Sequence, residues 1–239
     1  MGKIKRYRTA WSRHHRSHGF GIHSPFAFRF VREVLCERLP YYSYEHIEVL
    51  RKAVIANTGG RWRHPRIISA KNAKMIFRIV NYFNPQHMLQ VGTSYGVSSA
   101  CMLSVNSRSS LFLYEPHIDR FPVVGRVLAP FGQAVQCYDD LMVAVSDYRQ
   151  SLDNGEMPFI LVNDLPDEND YGKVHDLLTQ AMNGKAVIVM RNLSRKPLMK
   201  QLWLACRDAT PHGQTFTNEK IAIIYATSKL QREDFFLWF

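Results

Sequence analysis

Apolar positions fall into two regimes of spacing along this chain. Up to residue 83 they recur three and four apart, the spacing of one helix face. Phe26, Phe30, Val31, Val34 and Leu35 form the first such stripe. Ser24 stands before it as an N-cap, Pro25 takes the first helical position, and Pro40 ends it. Residues 41–56 predict a second helix, stopped by Gly59-Gly60, and 61–68 read as a basic linker. Residues 69–83 predict a third, with Ala73, Ile76, Phe77, Val80 and Phe83 on one face and Pro85 closing it. Beyond Pro85 short apolar runs alternate with amphipathic stretches. Strands are predicted over 88–91, 111–115, 134–138, 158–163 and 185–190, and helices over 96–104, 117–129, 140–151, 169–182 and 194–209. Such alternation predicts a parallel sheet covered by helices on both faces. The alternation fails at the end, where 213–217 and 221–226 face each other across Asn218-Glu219-Lys220 as an antiparallel hairpin.

Charge divides the chain near the same place. Residues 1–66 hold 14 Lys/Arg against 4 Asp/Glu and 6 of the 10 His, a net of +10, whereas 67–239 carry only +1. The expected organisation is a basic arm and helical extension over 1–66 and one α/β domain over 67–239. The body is long enough for its own core. No run approaches the roughly 20 apolar residues of a membrane span. The head lacks the apolar stretch of a secretory signal. Cys36, Cys101, Cys137 and Cys206 lie far apart with no CxxC pair, which suggests reduced, mostly buried thiols in a cytoplasmic protein. Neither a Walker A loop nor HExxH is present.

The most informative stretch is 88–99, Met-Leu-Gln-Val-Gly-Thr-Ser-Tyr-Gly-Val-Ser-Ser. A buried strand runs into a glycine turn and then a helix. Gly92 and Gly96 let the backbone approach a ligand, and a helix N-terminus offers unpaired N–H groups. The next strand ends in Tyr114-Glu115, 19 residues after Gly96, where a carboxylate can accept from ribose hydroxyls. One reading is a nucleoside-containing cofactor: GxGxxG is missing, which disfavours NAD, while S-adenosylmethionine needs no pyrophosphate cradle. A second is a serine hydrolase, because 92–96 also match GxSxG, with Ser94, Asp164 and His175 or His212 as a triad. Against it, helices and not strands precede the turn. A third is a turn that is merely tight.

The run Leu89-Gln90-Val91-Gly92-Thr93-Ser94-Tyr95-Gly96-Val97-Ser98-Ser99 resembles the first motif of class I S-adenosylmethionine-dependent methyltransferases. More closely, the chain resembles small O-methyltransferase-like proteins of Bacteroidota. The string His18-Gly19-Phe20-Gly21-Ile22-His23-Ser24-Pro25-Phe26, residues 77–85 and the terminal Asp234-Phe235-Phe236-Leu237-Trp238-Phe239 carry this likeness. The resemblance implies a Rossmann-like fold and S-adenosylmethionine as cofactor. It implies that Gly92, Thr93, Ser94 and Gly96 line the methionine part, that Glu115 holds the ribose, and that Asp139 or Asp140 lies near the adenine. Gln90, Tyr95 and Asn163 complete the expected cofactor set. Three positions depart from the family pattern. Gln90 replaces a Glu. Asn163 stands where an Asp ends the fourth strand, with Asp164 one step away. Arg191-Asn192 replace an acidic pair that binds a divalent cation in metal-dependent relatives. A hard cation wants charged oxygen ligands and an arginine would repel it, so no metal site is expected.

The expected reaction is methyl transfer to a hydroxyl or similar nucleophile of a small molecule, without metal, with His23, Asp164 or His175 as base. The alternatives are a catalytically degenerate binding protein on the same fold, and the hydrolase. The basic arm suits an acidic partner, which nucleic acid, an anionic surface or the protein's own acidic edge can supply. The apolar tail 235–239 is expected to pack on another element or on a second subunit in a homodimer.

Overall fold

The computed structural model describes residues 13, 17, 19–58, 67–93, 95–118 and 122–239. Most of the basic arm and of the 61–68 linker, and Ser94, therefore lie outside the described residues. Three helices lead the chain. α1, Pro25–Phe30, starts where Ser24 Oγ accepts from Ala27 N and continues through one π-helical turn, Val31–Leu35. α2 spans Ser43–Asn57. α3 spans Ala70–Phe83, with Ser69 Oγ accepting from Asn72 N and Asn84 closing it in the left-handed region. Arg78 ties α3 to the extension: its guanidinium donates to Val34 O at 2.6 Å, Leu35 O at 3.3 Å and Tyr44 Oη at 3.1 Å.

The alternating half follows the predicted order. Strands β1 (His87–Val91), β2 (Ser110–Tyr114), β3 (Val135–Tyr138), β4 (Phe159–Val162) and β5 (Ala186–Met190) alternate with α4 (Val97–Leu103), α5 (Pro122–Leu128), α6 (Leu141–Ser151), α7 (Tyr171–Met182) and α8 (Pro197–Ala209). β6 (Gly213–Thr217) and β7 (Ala222–Ala226) form the expected antiparallel hairpin. The chain adds a strand that the sequence reading took for a tail: β8, Glu233–Phe236, pairs parallel with β6 at the sheet edge. The order is β3-β2-β1-β4-β5-β7-β6-β8, and only β7 runs against the rest.

Strand side chains alternate between two cores, as a pleat requires. Met88, Leu111, Leu161, Val189 and Ile223 face a core shared with α1 to α5. Leu89, Phe112, Ile160, Ile188 and Ile224 face one shared with α6, α7 and α8. The first core takes in the extension and the tail alike. Phe30 packs on Phe216 at 5.0 Å between ring centroids, and Phe216 stacks on Phe235 at 5.1 Å. The tail thus packs on its own chain. Cys101 and Cys206 are buried as expected, but Cys137 is exposed, because β3 is an edge strand. Among the described residues no helix is long and apolar enough to cross a membrane.

Candidate functional site

From β1 the chain passes to β2 and β3 on one side of the sheet and to β4 and β5 on the other. β1 and β4 are therefore neighbours whose following loops diverge, and this is where a doubly wound sheet opens a crevice at its carboxyl edge. The Gly92 turn and Asn163-Asp164 stand on its two sides. Asn163 N donates to Val91 O at 2.9 Å, so the two strand ends stay paired up to the crevice.

The turn is set by local geometry. Gly92 has φ of 73° and Gly96 of 77°, a region that L side chains avoid. A Cβ on Gly92 would lie 2.9 Å from Asp164 O, so this glycine lets the two loops approach. Gln90 braces the turn from below. Fully buried, it donates to Gly92 O at 2.8 Å and Ser98 Oγ at 3.2 Å and accepts from Ser99 Oγ at 3.0 Å. Glutamine fits here because it must donate and accept at once, which an ionised glutamate cannot do. Thr93 Oγ1 lies 3.0 Å from Ser99 Oγ and extends the network into α4.

Glu115, at the end of β2, is buried and accepts from Thr93 N at 3.0 Å. This bond uses Oε2; Oε1 takes no hydrogen bond among the described residues. The geometry suits a carboxylate that accepts from vicinal hydroxyls. Asp139 and Asp140 follow β3 and are exposed. Asp140 caps α6, accepting from Met142 N at 2.7 Å and Val143 N at 3.0 Å, and those backbone bonds hold its carboxyl below its ordinary pKa. Asp139 is the one of the two not engaged in capping. Tyr95 is half-buried beyond Thr93, and Ser94 lies outside the described residues.

The three expected bases are not brought together. Asp164 stands at the crevice, with Oδ1 accepting from Leu165 N at 2.9 Å and Oδ2 3.3 Å from Lys196 Nζ. His175 lies on α7, stacked on Tyr171 and 3.4 Å from Asp176. His23 precedes α1, whose first turn packs Phe26 on Tyr225 and Tyr82. Tyr225 pairs with Val187 near the start of β5, and His23 itself is exposed. Among the described residues no histidine is bonded to Asp164, so the triad of the hydrolase reading does not form.

Sequence reasoning missed two contacts, because each joins residues 28 or more positions apart that only the tertiary fold brings together. Tyr114 Oη donates to Asp170, and burial, then that bond, push the tyrosine pKa up. Arg191, at the end of β5, donates through Nη1 to Asn163 Oδ1. Its Nε is buried without a hydrogen-bond partner, and burial lowers its pKa to about 10. It remains charged at neutral pH. Arg191 closes the small space beside Thr93, Tyr95, Ser98 and Asn163. Beyond it a cavity of about 770 Å³ opens between the start of α3, the loop after β5 and the β6–β7 turn. A larger groove, about 1740 Å³, lies between α1, α2 and α3 and is lined by none of the described candidate cofactor residues.

No protein-family model matches the chain, and no curated protein sequence matches it. Solved structures do match by fold. An O-methyltransferase from Bacillus cereus in complex with SAH is 15% identical, with a TM-score of 0.54 over 81% of this chain and 96% of that one. A methyltransferase from Geobacter sulfurreducens is 15% identical, with a TM-score of 0.53 over 80% and 92%. The O-methyltransferase TomG from Streptomyces achromogenes, in complex with SAM, is 14% identical, with a TM-score of 0.50 over 77% and 90%. The fold of this chain is therefore the Rossmann-like fold of these methyltransferases, with its helical extension and hairpin in place.

Proposed function

We propose that the protein is an S-adenosylmethionine-dependent methyltransferase acting on a hydroxyl or similar nucleophile of a small molecule, without a metal ion. The observation that carries this reading is Glu115, held to Thr93 N with one carboxylate oxygen spare, beside the Gly92 turn at the switch point of the sheet. The residues fit the cofactor. Glu115 accepts from its ribose, Asp139 lies toward the adenine, and Gly92, Thr93, Tyr95 and Gly96 bound the methionine part, with Gln90 and Asn163 bracing the strand ends. When bound, the cofactor supplies a methyl group activated by its sulfonium. The protein's part is to place an acceptor oxygen in line and to take its proton. Asp164 is the base of choice, because its backbone lies against the Gly92 turn at the crevice. Metal independence is supported by the donor set: Arg191 and Asn192 offer no carboxylate, and Asn163 Oδ1 is engaged by Arg191. Free cysteines suit a cytoplasmic setting.

Calorimetry with S-adenosylmethionine and S-adenosylhomocysteine tests the reading. Micromolar binding of both is expected; no heat at millimolar ligand would remove the cofactor assignment. The engaged Asn163 also favours a second reading, a binding protein that has lost turnover. Binding without S-adenosylhomocysteine release across a panel of acceptors would select it.

A further inference from the structure

The cavity of about 770 Å³ beyond Arg191 has an unusual wall. Among the described residues six cations line it: Arg13, Arg51, Lys71, Arg191, Arg195 and Lys220. Two of them are neutralised in place. Arg13 pairs with Glu219 at 2.7 Å, and Arg51 with Glu48 at 2.7 Å. Among the described residues Glu219 is the only acidic one in the lining, and that pair consumes it. Lys71, Arg191 and Lys220 come from three separate elements: Lys71 is in the first turn of α3, Arg191 follows β5, and Lys220 is in the β6–β7 turn. They converge on one concave space, where low-dielectric walls concentrate their field. Arg191 adds a second, independent observation. It is nine-tenths buried, its Nε has no partner, and its one side-chain bond goes to a neutral amide. A guanidinium sealed in this way, with no carboxylate bonded to it, is costly unless an anion completes it.

Position gives the cavity its role. Arg191 borders both this cavity and the small space beside Thr93, Tyr95 and Ser98. A molecule seated on the cations would therefore meet the cofactor turn across one side chain. The volume is that of a small-molecule site and much less than a nucleic-acid groove requires. We propose that this cavity holds the methyl acceptor and that the acceptor is a small polyanion, bearing phosphate or several carboxylates, gripped by Arg191, Lys71 and Lys220. The assignment of acceptor rests on the methyltransferase reading; the anion site does not.

Calorimetry on the full chain, with inorganic pyrophosphate and with citrate as probes, separates the two. Pyrophosphate, citrate or both should bind at low salt, and weaken as salt rises. The tighter of the two identifies phosphate or carboxylate as the recognised group. Lys71→Met with Lys220→Met, both at exposed positions, should weaken that binding about tenfold while leaving the S-adenosylhomocysteine affinity unchanged. Arg191→Met should weaken it further; if that variant does not fold, the lysine pair still decides. No binding of either probe at millimolar concentration, or equal affinity in wild type and the lysine pair, would overturn the site. Binding of a single-stranded oligonucleotide far more tightly than either probe, with the same loss in the variants, would overturn the small-molecule assignment. Anion binding without any S-adenosylhomocysteine binding would overturn the acceptor role while the site stands.

Discussion

Glu115 shows what a single residue can reveal before any fold is known. A carboxylate at the end of the strand after a glycine turn is a local signal, and the structure puts it against Thr93 N, where the turn needs a hydrogen-bond acceptor. Glu115→Gln keeps the shape and removes the charge. The amide oxygen can still accept from Thr93 N, so the turn should survive and the thermal midpoint should move little. Affinity for S-adenosylhomocysteine should fall about tenfold, since a charge-assisted bond to the ribose becomes a neutral one. Unchanged affinity by calorimetry would place the ribose elsewhere. Arg191 is the opposite case. Its identity was legible as a departure from an acidic position, but its bond to Asn163 depends on the pairing of Val162 with Met190, which no local pattern encodes.

The elements themselves were mostly legible because periodicity and capping agree in them. Ser24 caps the helix that follows, as its place before Pro25 suggested, and Ser69, read as the first residue of its helix, caps α3. α3 shows where pattern stops: one apolar face was predicted, yet Met75 and Ile79 are buried as well, because α1 and α2 cover the outer side. Arg78 is what that second cover requires. It satisfies two carbonyls at the end of the α1 segment, whose π-helical turn leaves them without partners in the helix. Arg78→Met should cost about 3 kcal/mol, the scale of stranding buried carbonyls that a charged donor had satisfied, read from denaturant unfolding. β8 was missed for the converse reason. Four residues after a turn, Glu233 to Phe236, give too short a run to distinguish an edge strand from a tail.

An element-scale latch also sets an acid limit. Glu156, in the loop before β4, accepts from His87 N at 2.9 Å and Gln86 N at 3.1 Å, and lies 2.7 Å from His87 Nδ1. Burial pushes its carboxyl up, but the His87 ring and the backbone donors outweigh this, and the net shift is downward. A carboxylate held below its ordinary value lends stability above that value and loses it as pH falls through the lower one. Glu156→Gln should therefore be less stable than wild type by about 1–2 kcal/mol at neutral pH. The gap should close as pH drops below about 4, the ordinary glutamate range. A gap that stays constant with pH in urea melts would show that the loss is steric.

At the scale of the whole molecule, charge and packing draw different boundaries. The net charge changes at residue 66, and the sequence suggested an extension attached to a domain. The core does not respect that line. Phe30, Val31 and Val54 are fully buried in one cluster with Leu161, Val189 and Phe216. Tyr41 and Tyr44 pack edge-on against Phe77, and Phe26 lies 4.6 Å from Tyr225 of β7. A helical cover that completes the inner face of the sheet cannot melt ahead of it, because melting would expose the same rings that hold the strands. The full chain should therefore unfold in one cooperative transition, with equal calorimetric and van't Hoff enthalpies. A fragment beginning at residue 67 should bind a hydrophobic dye and aggregate, since Phe77, Tyr82 and Phe216 would lose their cover. Two resolved transitions, or a soluble fragment with native near-ultraviolet dichroism, would show that the boundary in charge is also a boundary in folding.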